Sequence, residues 1–149
     1  TEQLNYSAKQ IDTLLNKESG LLGISELSND CRTIEESAAD GHQQAALALD
    51  IFCYRLAKQI AAFVVPLGGL DALIFTGGIG ENSDVIRAKV VAHLSFLGLE
   101  IDNDKNLAAR FGSDGVITKQ ISPCAIVVPT NEEWMIANDA ANIAQEQKL

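Results

Sequence analysis

Basic charge is what this chain has least of. Lysine and arginine together number 11 against 20 aspartates and glutamates, leaving a formal net charge of -9. A polyanion is held by clustered Lys and Arg, so this balance argues against nucleic acid as a partner. It does not exclude a small nucleotide, whose charge backbone amides and a divalent cation can carry. Long apolar runs are also missing. None approaches the ~18 residues of a membrane span, and the first twenty residues lack the basic-then-apolar layout of a signal peptide. The expectation is a soluble, cytoplasmic protein with no membrane partner. Cysteine is scarce: Cys31, Cys53 and Cys124 are odd in number and have neither C-x-x-C nor Cys/His metal spacing, so they read as free thiols. Cys53 falls on the apolar side of a helical pattern and is expected in the core. The two histidines, His42 and His93, have no partner at ligand spacing. Ser25, Ser28 and Thr130 have no nearby His with which to build a triad, so hydrolytic covalent catalysis is unsupported. Repeats and low-complexity tracts are absent as well.

What is present is enough for a core. The 149 residues are 47% hydrophobic and 21% charged, ordinary for one domain or a large piece of one. A modest helix is expected over 7–16, capped near Asn5 or Ser7 with Ile11, Leu14 and Leu15 inward, and Gly20 ends it. From Gly41 to Val65 the positions Leu49, Phe52, Cys53, Leu56, Ala57, Ile60, Phe63 and Val64 step by threes and ones, the stripe of a long amphipathic helix. Pro66 and the Gly68-Gly69 pair are expected to stop it. A short buried strand follows at Ala72 to Phe75. A helix is read from Ser83 to Leu97, with Ser83 as cap, Asp84 as first-turn acid and Gly98 closing it. Weaker signals suggest an edge strand at Leu99 to Ile101, a short helix at Asp104 to Phe111 and an extended segment at Val116 to Lys119. A second apolar strand, Ala125 to Val128, ends at Pro129 and leads to a helix bearing Trp134, Ile136, Ala137, Ala140, Ile143 and Ala144. Two strand, loop and helix units imply an open α/β sheet with ligands at the carboxyl ends of the strands.

The densest signal is Leu73-Ile74-Phe75-Thr76-Gly77-Gly78-Ile79-Gly80-Glu81-Asn82-Ser83. A strand empties into a turn with three glycines in four positions, and a helix start follows. That order suits a phosphate loop, because glycines let amides approach a phosphate and the next helix offers its positive end. The Lys-Ser/Thr ending of a Walker A loop and the G-x-G-x-x-G spacing of a dinucleotide fold are both absent. On spacing alone a plain tight turn is the more common reading. Two other polar loops accompany it, Ser28-Asn29-Asp30-Cys31-Arg32 and Asn131-Glu132-Glu133. Taken singly, Asp30 and Arg32 read as an exposed turn pair, and Glu132 and Glu133 as first-turn acids.

Taken together, these segments resemble the acetate kinase family. Phe75 to Asn82, Ser28 to Arg32 and Pro129 to Glu133 follow the family's order at similar separations, and the likeness runs from about Asn5 to Ala144. The resemblance implies that residues 1–149 are the C-terminal nucleotide-binding portion of such an enzyme, lacking the N-terminal domain and the first part of the C-terminal one. It implies a short sheet flanked by helices, part of an actin-like ATPase (ribonuclease H-like) domain of the acetate and sugar kinase, heat-shock chaperone and actin superfamily. The implied reaction is ATP plus acetate giving ADP plus acetyl phosphate, with Mg2+ as cofactor. A propionate or butyrate kinase, or a non-catalytic actin-like module that binds nucleotide or dimerises, is the alternative. Carried over by position, the resemblance places adenosine between Asp30, Cys31 and Arg32 on one side and Gly78, Ile79 and Gly80 on the other, with Asn82 completing the pocket. Cys31 stands where family members often have an apolar or aromatic residue. Arg32 offers a planar fork of donors to ribose or phosphate oxygens, or a surface to stack on the base. Glu132 matches the carboxylate associated with magnesium, and Glu133 remains a helix-start acid. No catalytic residue is assigned. The family's opening Asn-Ser loop, its transition-state arginines and its His-containing loop have no counterpart here, so the chain is expected to be inactive alone. The family also implies a homodimer.

Overall fold

The computed structural model describes residues 5–121 and 123–146. Helix α1, Ala8–Lys17, begins at a capping box in which the Ser7 hydroxyl accepts from the Gln10 amide and Gln10 reaches back to the Ser7 amide. Its apolar stripe does not turn inward as expected. Ile11 is half-buried, but Leu14 is exposed and Leu15 is 65% exposed. The reason is placement, since α1 lies outside the core and meets the rest of the fold mainly through α2, Gly20–Ser25. Gly20 therefore opens a helix instead of closing one, at φ +63. Helix α3, Cys31–Ala39, has no counterpart in the sequence reading and occupies what looked like a polar turn.

The centre of the molecule is α4, Gln43–Leu67, capped by the His42 ring, whose Nδ1 accepts from the Ala45 amide. Ala45, Ala48, Leu49, Cys53 and Ala57 form its buried line, while Phe63 at the far end is exposed. Small residues along that line let α2, α3 and α6 (Asp84–His93) pack closely against it. Burial also pushes the Cys53 thiol up to about 11, as expected of a core cysteine. The helix runs through Pro66, contrary to expectation. It ends at Gly68, whose left-handed φ of 74 lets the Gly68 and Gly69 amides reach the Val65 and Val64 carbonyls.

Three strands form the sheet, in the order β1 (Ala72–Phe75), β3 (Cys124–Val127), β2 (Gly115–Val116). β1 and β3 are parallel, pairing Leu73 with Ala125 and Phe75 with Val127, and β2 runs antiparallel to β3. In place of an edge strand at Leu99 to Ile101 there is a single bridge from Ile101 to Thr118. Phe75, Ala125 and Val127 face the core shared with Ile86, Val90, Val91 and Leu94 of α6. On the opposite face Ile74 is 60% exposed, so β1 is not the buried strand expected. Between β1 and α6 lies the short helix α5, Gly77–Asn82. After α6 come a 3-10 turn, Ser95–Leu97, closed by Gly98, and α7, Asn103–Ala108, capped by Asp102. The last helix, α8, spans Glu132–Glu146 and leaves Trp134, Met135, Ile136 and Ile143 more than half exposed. No described helix is long and apolar enough to cross a membrane.

Candidate nucleotide site

The glycine segment is neither an open phosphate loop nor a simple tight turn. Gly77, at φ +72, turns the chain sharply out of β1, and residues 77–82 then close a helical turn. Each glycine has a different surrounding. A Cβ on Gly78 would meet nothing within 4 Å, so its backbone is open to a ligand, whereas a Cβ on Gly80 would lie 3.3 Å from the Phe75 carbonyl carbon. Gly80 thus permits close packing of α5 on β1. Beneath this turn sits Arg87, fully buried on α6. Its Nη1 donates to the Gly80 and Glu81 carbonyls at 2.8 Å each, its Nε to Asn106 Oδ1 at 2.8 Å, and its Nη2 to the Asn106 carbonyl at 2.6 Å. Asn106 in turn donates to the Asp84 carbonyl. A buried guanidinium held by oxygens on four sides is a fixed strut, because leaving any of them unpaired is costly.

Across from α5, the Ser28 to Arg32 segment caps α3. The Asp30 carboxylate accepts from the Thr33 amide at 3.0 Å, a bond that together with the nearby Arg32 holds it below the usual carboxylate range. Asp30 is therefore a helix cap as well as a wall residue. Cys31 is half-buried, and burial, aided by Glu35 and Asp30, raises its thiol. Arg32, exposed on the first turn, makes no ion pair among the described residues.

These two walls enclose a cavity of about 470 Å³. Asn29, Asp30, Cys31 and Arg32 line one side, Gly78, Ile79, Asn82 and Ser83 the other, with Leu21, Phe52 and Glu35 completing it. Its apolar sides and few convergent polar groups suit a nucleoside-sized ligand. Asn82 faces the cavity while its side chain braces the wall, donating to the Gly78 carbonyl at 3.0 Å and accepting from the Phe111 amide at 3.1 Å. Glu35 and Ser83 are lining residues that sequence reasoning missed. Burial lifts the Glu35 carboxyl, and Asp84 adds to the rise, while hydrogen bonding with Ser83 and the charge of Arg87 oppose it.

The structure brings Asp30, Cys31, Arg32, Gly78, Ile79 and Asn82 together. Gly80 is not among the lining residues and packs against Phe75. Glu132, expected at the magnesium and not in the adenosine pocket, lines a second pocket with Thr130, Asn131, Met135 and Ile136. Among the described residues no group of three or more His, Cys, Asp or Glu could hold a metal ion. A lone exposed carboxylate such as Glu132 fits Mg2+ that keeps its waters and arrives with phosphates, not a resident ion. The loops after β1 and β3 are joined by Glu81, also missed, whose Oε1 accepts from the Gly77 amide and from the amide and hydroxyl of Thr130. Arg87 carried a readable signal, since it shares the helical face of Val90, Val91 and Leu94. Glu81 carried none.

The Acetokinase family profile matches residues 1–138. The acetate kinase of Shewanella amazonensis is 60% identical over 144 residues, which is 97% of this chain and 36% of that protein. Among solved structures, the acetate kinase of Porphyromonas gingivalis superposes with a TM-score of 0.83 at 42% identity, over 96% of this chain and 36% of that one. A propionate kinase from Francisella tularensis gives 0.81 at 43% identity, over 91% and 34%. The chain spans about a third of the length of the relatives it matches.

Proposed function

This chain belongs to the acetokinase family, and from that premise we propose that it is the C-terminal nucleotide-binding portion of an acetate kinase. In this reading the adenosine of ATP occupies the cavity between Asp30-Cys31-Arg32 and Gly78-Ile79-Asn82. The observation that carries it is that two segments far apart in sequence form the two walls of one cavity. Leu21 and Phe52 give the base apolar surface, and Arg32 supplies donors at the rim. The strut through Arg87 keeps the Gly78 wall from yielding when ligand enters. Glu132 is the residue that would hold the magnesium travelling with the nucleotide, which would supply charge neutralisation at the transferring phosphate. Phosphoryl transfer to acetate, giving acetyl phosphate, then depends on groups beyond residues 1–149, and this chain alone is expected to form none. A cytoplasmic homodimer is the assembly proposed, supported by the exposed apolar side chains Phe63, Val65 and Leu67 at the end of α4.

Calorimetry with ADP on the intact enzyme and its Arg32→Ala variant tests the site. We expect affinity to fall about tenfold, the value of one charge-assisted contact, with an unchanged unfolding midpoint. Unchanged affinity removes Arg32 from the pocket. The second reading, a propionate kinase, is favoured by the likeness to the Francisella tularensis enzyme. Turnover on acetate against propionate decides between them.

A further inference from the structure

Glu81 lies outside the cavity lining, yet it joins the two strand-following loops. Its Oε1 accepts from the Gly77 amide at 2.8 Å, from the Thr130 amide at 2.7 Å and from the Thr130 hydroxyl at 2.7 Å. One of these partners lies at the turn out of β1. The other lies 49 residues along the chain, just beyond β3. The backbone of Glu81 is immobilised from below, because its carbonyl accepts from the buried Arg87. The carboxylate is consequently a short rigid link between a fixed floor and a loop with little packing of its own. These bonds, the Thr130 amide foremost, hold the carboxyl below its usual range, so it is charged and a strong acceptor at neutral pH.

We propose that Glu81 is a positioning residue that couples the Gly77 to Asn82 turn to the Thr130 loop, so that nucleotide held on the one is felt at the other. The inference rests on the nucleotide reading above for its ligand, but the link itself does not. Breaking it leaves both pockets lined as before and removes only the constraint between them. A purely structural role would lower stability without changing how the two loops respond to one another.

The test is peptide-resolved hydrogen exchange on the intact enzyme, with and without ADP, comparing wild type, Glu81→Gln, Glu81→Ala and Thr130→Val. ADP is expected to slow exchange in the segment around Thr130 in the wild type. In Glu81→Ala, which still binds ADP at about tenfold weaker affinity, that distant slowing should disappear at saturating ligand. Without ligand, Thr130→Val should speed exchange at Gly77, although Thr130 lies on the other loop. Glu81→Gln, which keeps a carbonyl acceptor and is the milder variant should the alanine fail to fold, should lose part of the effect. Equal slowing around Thr130 in the wild type and both Glu81 variants overturns the proposal. So does an unchanged Gly77 in Thr130→Val. If the wild type binds no ADP, the nucleotide reading falls, and the ligand-free comparison of Gly77 alone decides the coupling.

Discussion

The loops that follow β1 and β3 are built alike in sequence and unlike in space. Each leaves a parallel strand, passes through a polar turn and enters a helix. After β1, the turn rests on the buried Arg87 and leads into α6, whose Ile86, Val90 and Val91 are in the core. After β3, Asn131 caps a helix whose Trp134, Met135 and Ile136 all stay exposed. One unit is a floor and the other is held at its root, where Glu81 takes the Thr130 amide and hydroxyl. Burial, not the strand-loop-helix grammar, separates them. A polar loop becomes a rigid wall when a core element beneath it satisfies its carbonyls.

Several substitutions would break or sharpen that contrast. The largest effect belongs to Arg87→Met, which leaves the Gly80, Glu81 and Asn106 oxygens without their donor. It should cost about 3 to 4 kcal/mol in urea unfolding, and a loss below about 1 kcal/mol would show that the floor does not depend on the strut. Next comes Gly80→Ala, whose Cβ would press to 3.3 Å from the Phe75 backbone. A loss of roughly 1 kcal/mol is expected there, because the crowded atom is main chain and cannot swing away. Gly78→Ala, with nothing within 4 Å, should leave the melting temperature unchanged.

A smaller effect depends on pH. The Glu35 carboxyl is raised chiefly by burial, so the folded protein holds that proton to a higher pH than the unfolded chain does. The stability this contributes is present below the unfolded carboxylate range and lost as pH rises through the folded value. Glu35→Gln should therefore flatten the decline, with a small gain in melting temperature near neutral pH and none in acid. A variant that loses stability at neutral pH would instead make the ionised carboxylate a structural partner. A similarly small effect is expected at Ile136, 70% exposed on α8, where Ile136→Ser should stay within about 0.5 kcal/mol. A larger loss would mean that α8 is packed in solution.

Much of the scaffold was legible in the residues. The stripe from Leu49 to Ala57, the two apolar strands and the Ser83 cap all stand where periodicity and capping chemistry put them. Helix α3 escaped because Ile34 is its one fully buried residue and its first turn is polar. Leu14 and Leu15 were misjudged because periodicity shows that one face is apolar but not whether anything covers it, as the exposed apolar residues of α8 also illustrate. Within the site, the motifs at Asp30 to Arg32 and Gly78 to Asn82 were readable, whereas Glu35, Glu81 and the Asn106 end of the strut were not. Those residues are defined by partners 19 to 49 positions away.

By itself the sequence determined the local events: where strands yield to turns, that the Gly68-Gly69 pair ends the long helix and that Ser83 caps the next one. Each depends on dihedral limits and hydrogen bonds that reach only a few residues along the chain. Only the tertiary structure decided which loops meet. Parallel pairing of β1 with β3 sets both turns at one end of the sheet, and packing of α3 and α6 on α4 brings Asp30 to Arg32 opposite Gly78 to Asn82. Such meetings are made by long-range burial and by buried polar groups finding partners, and no local pattern along the chain encodes them.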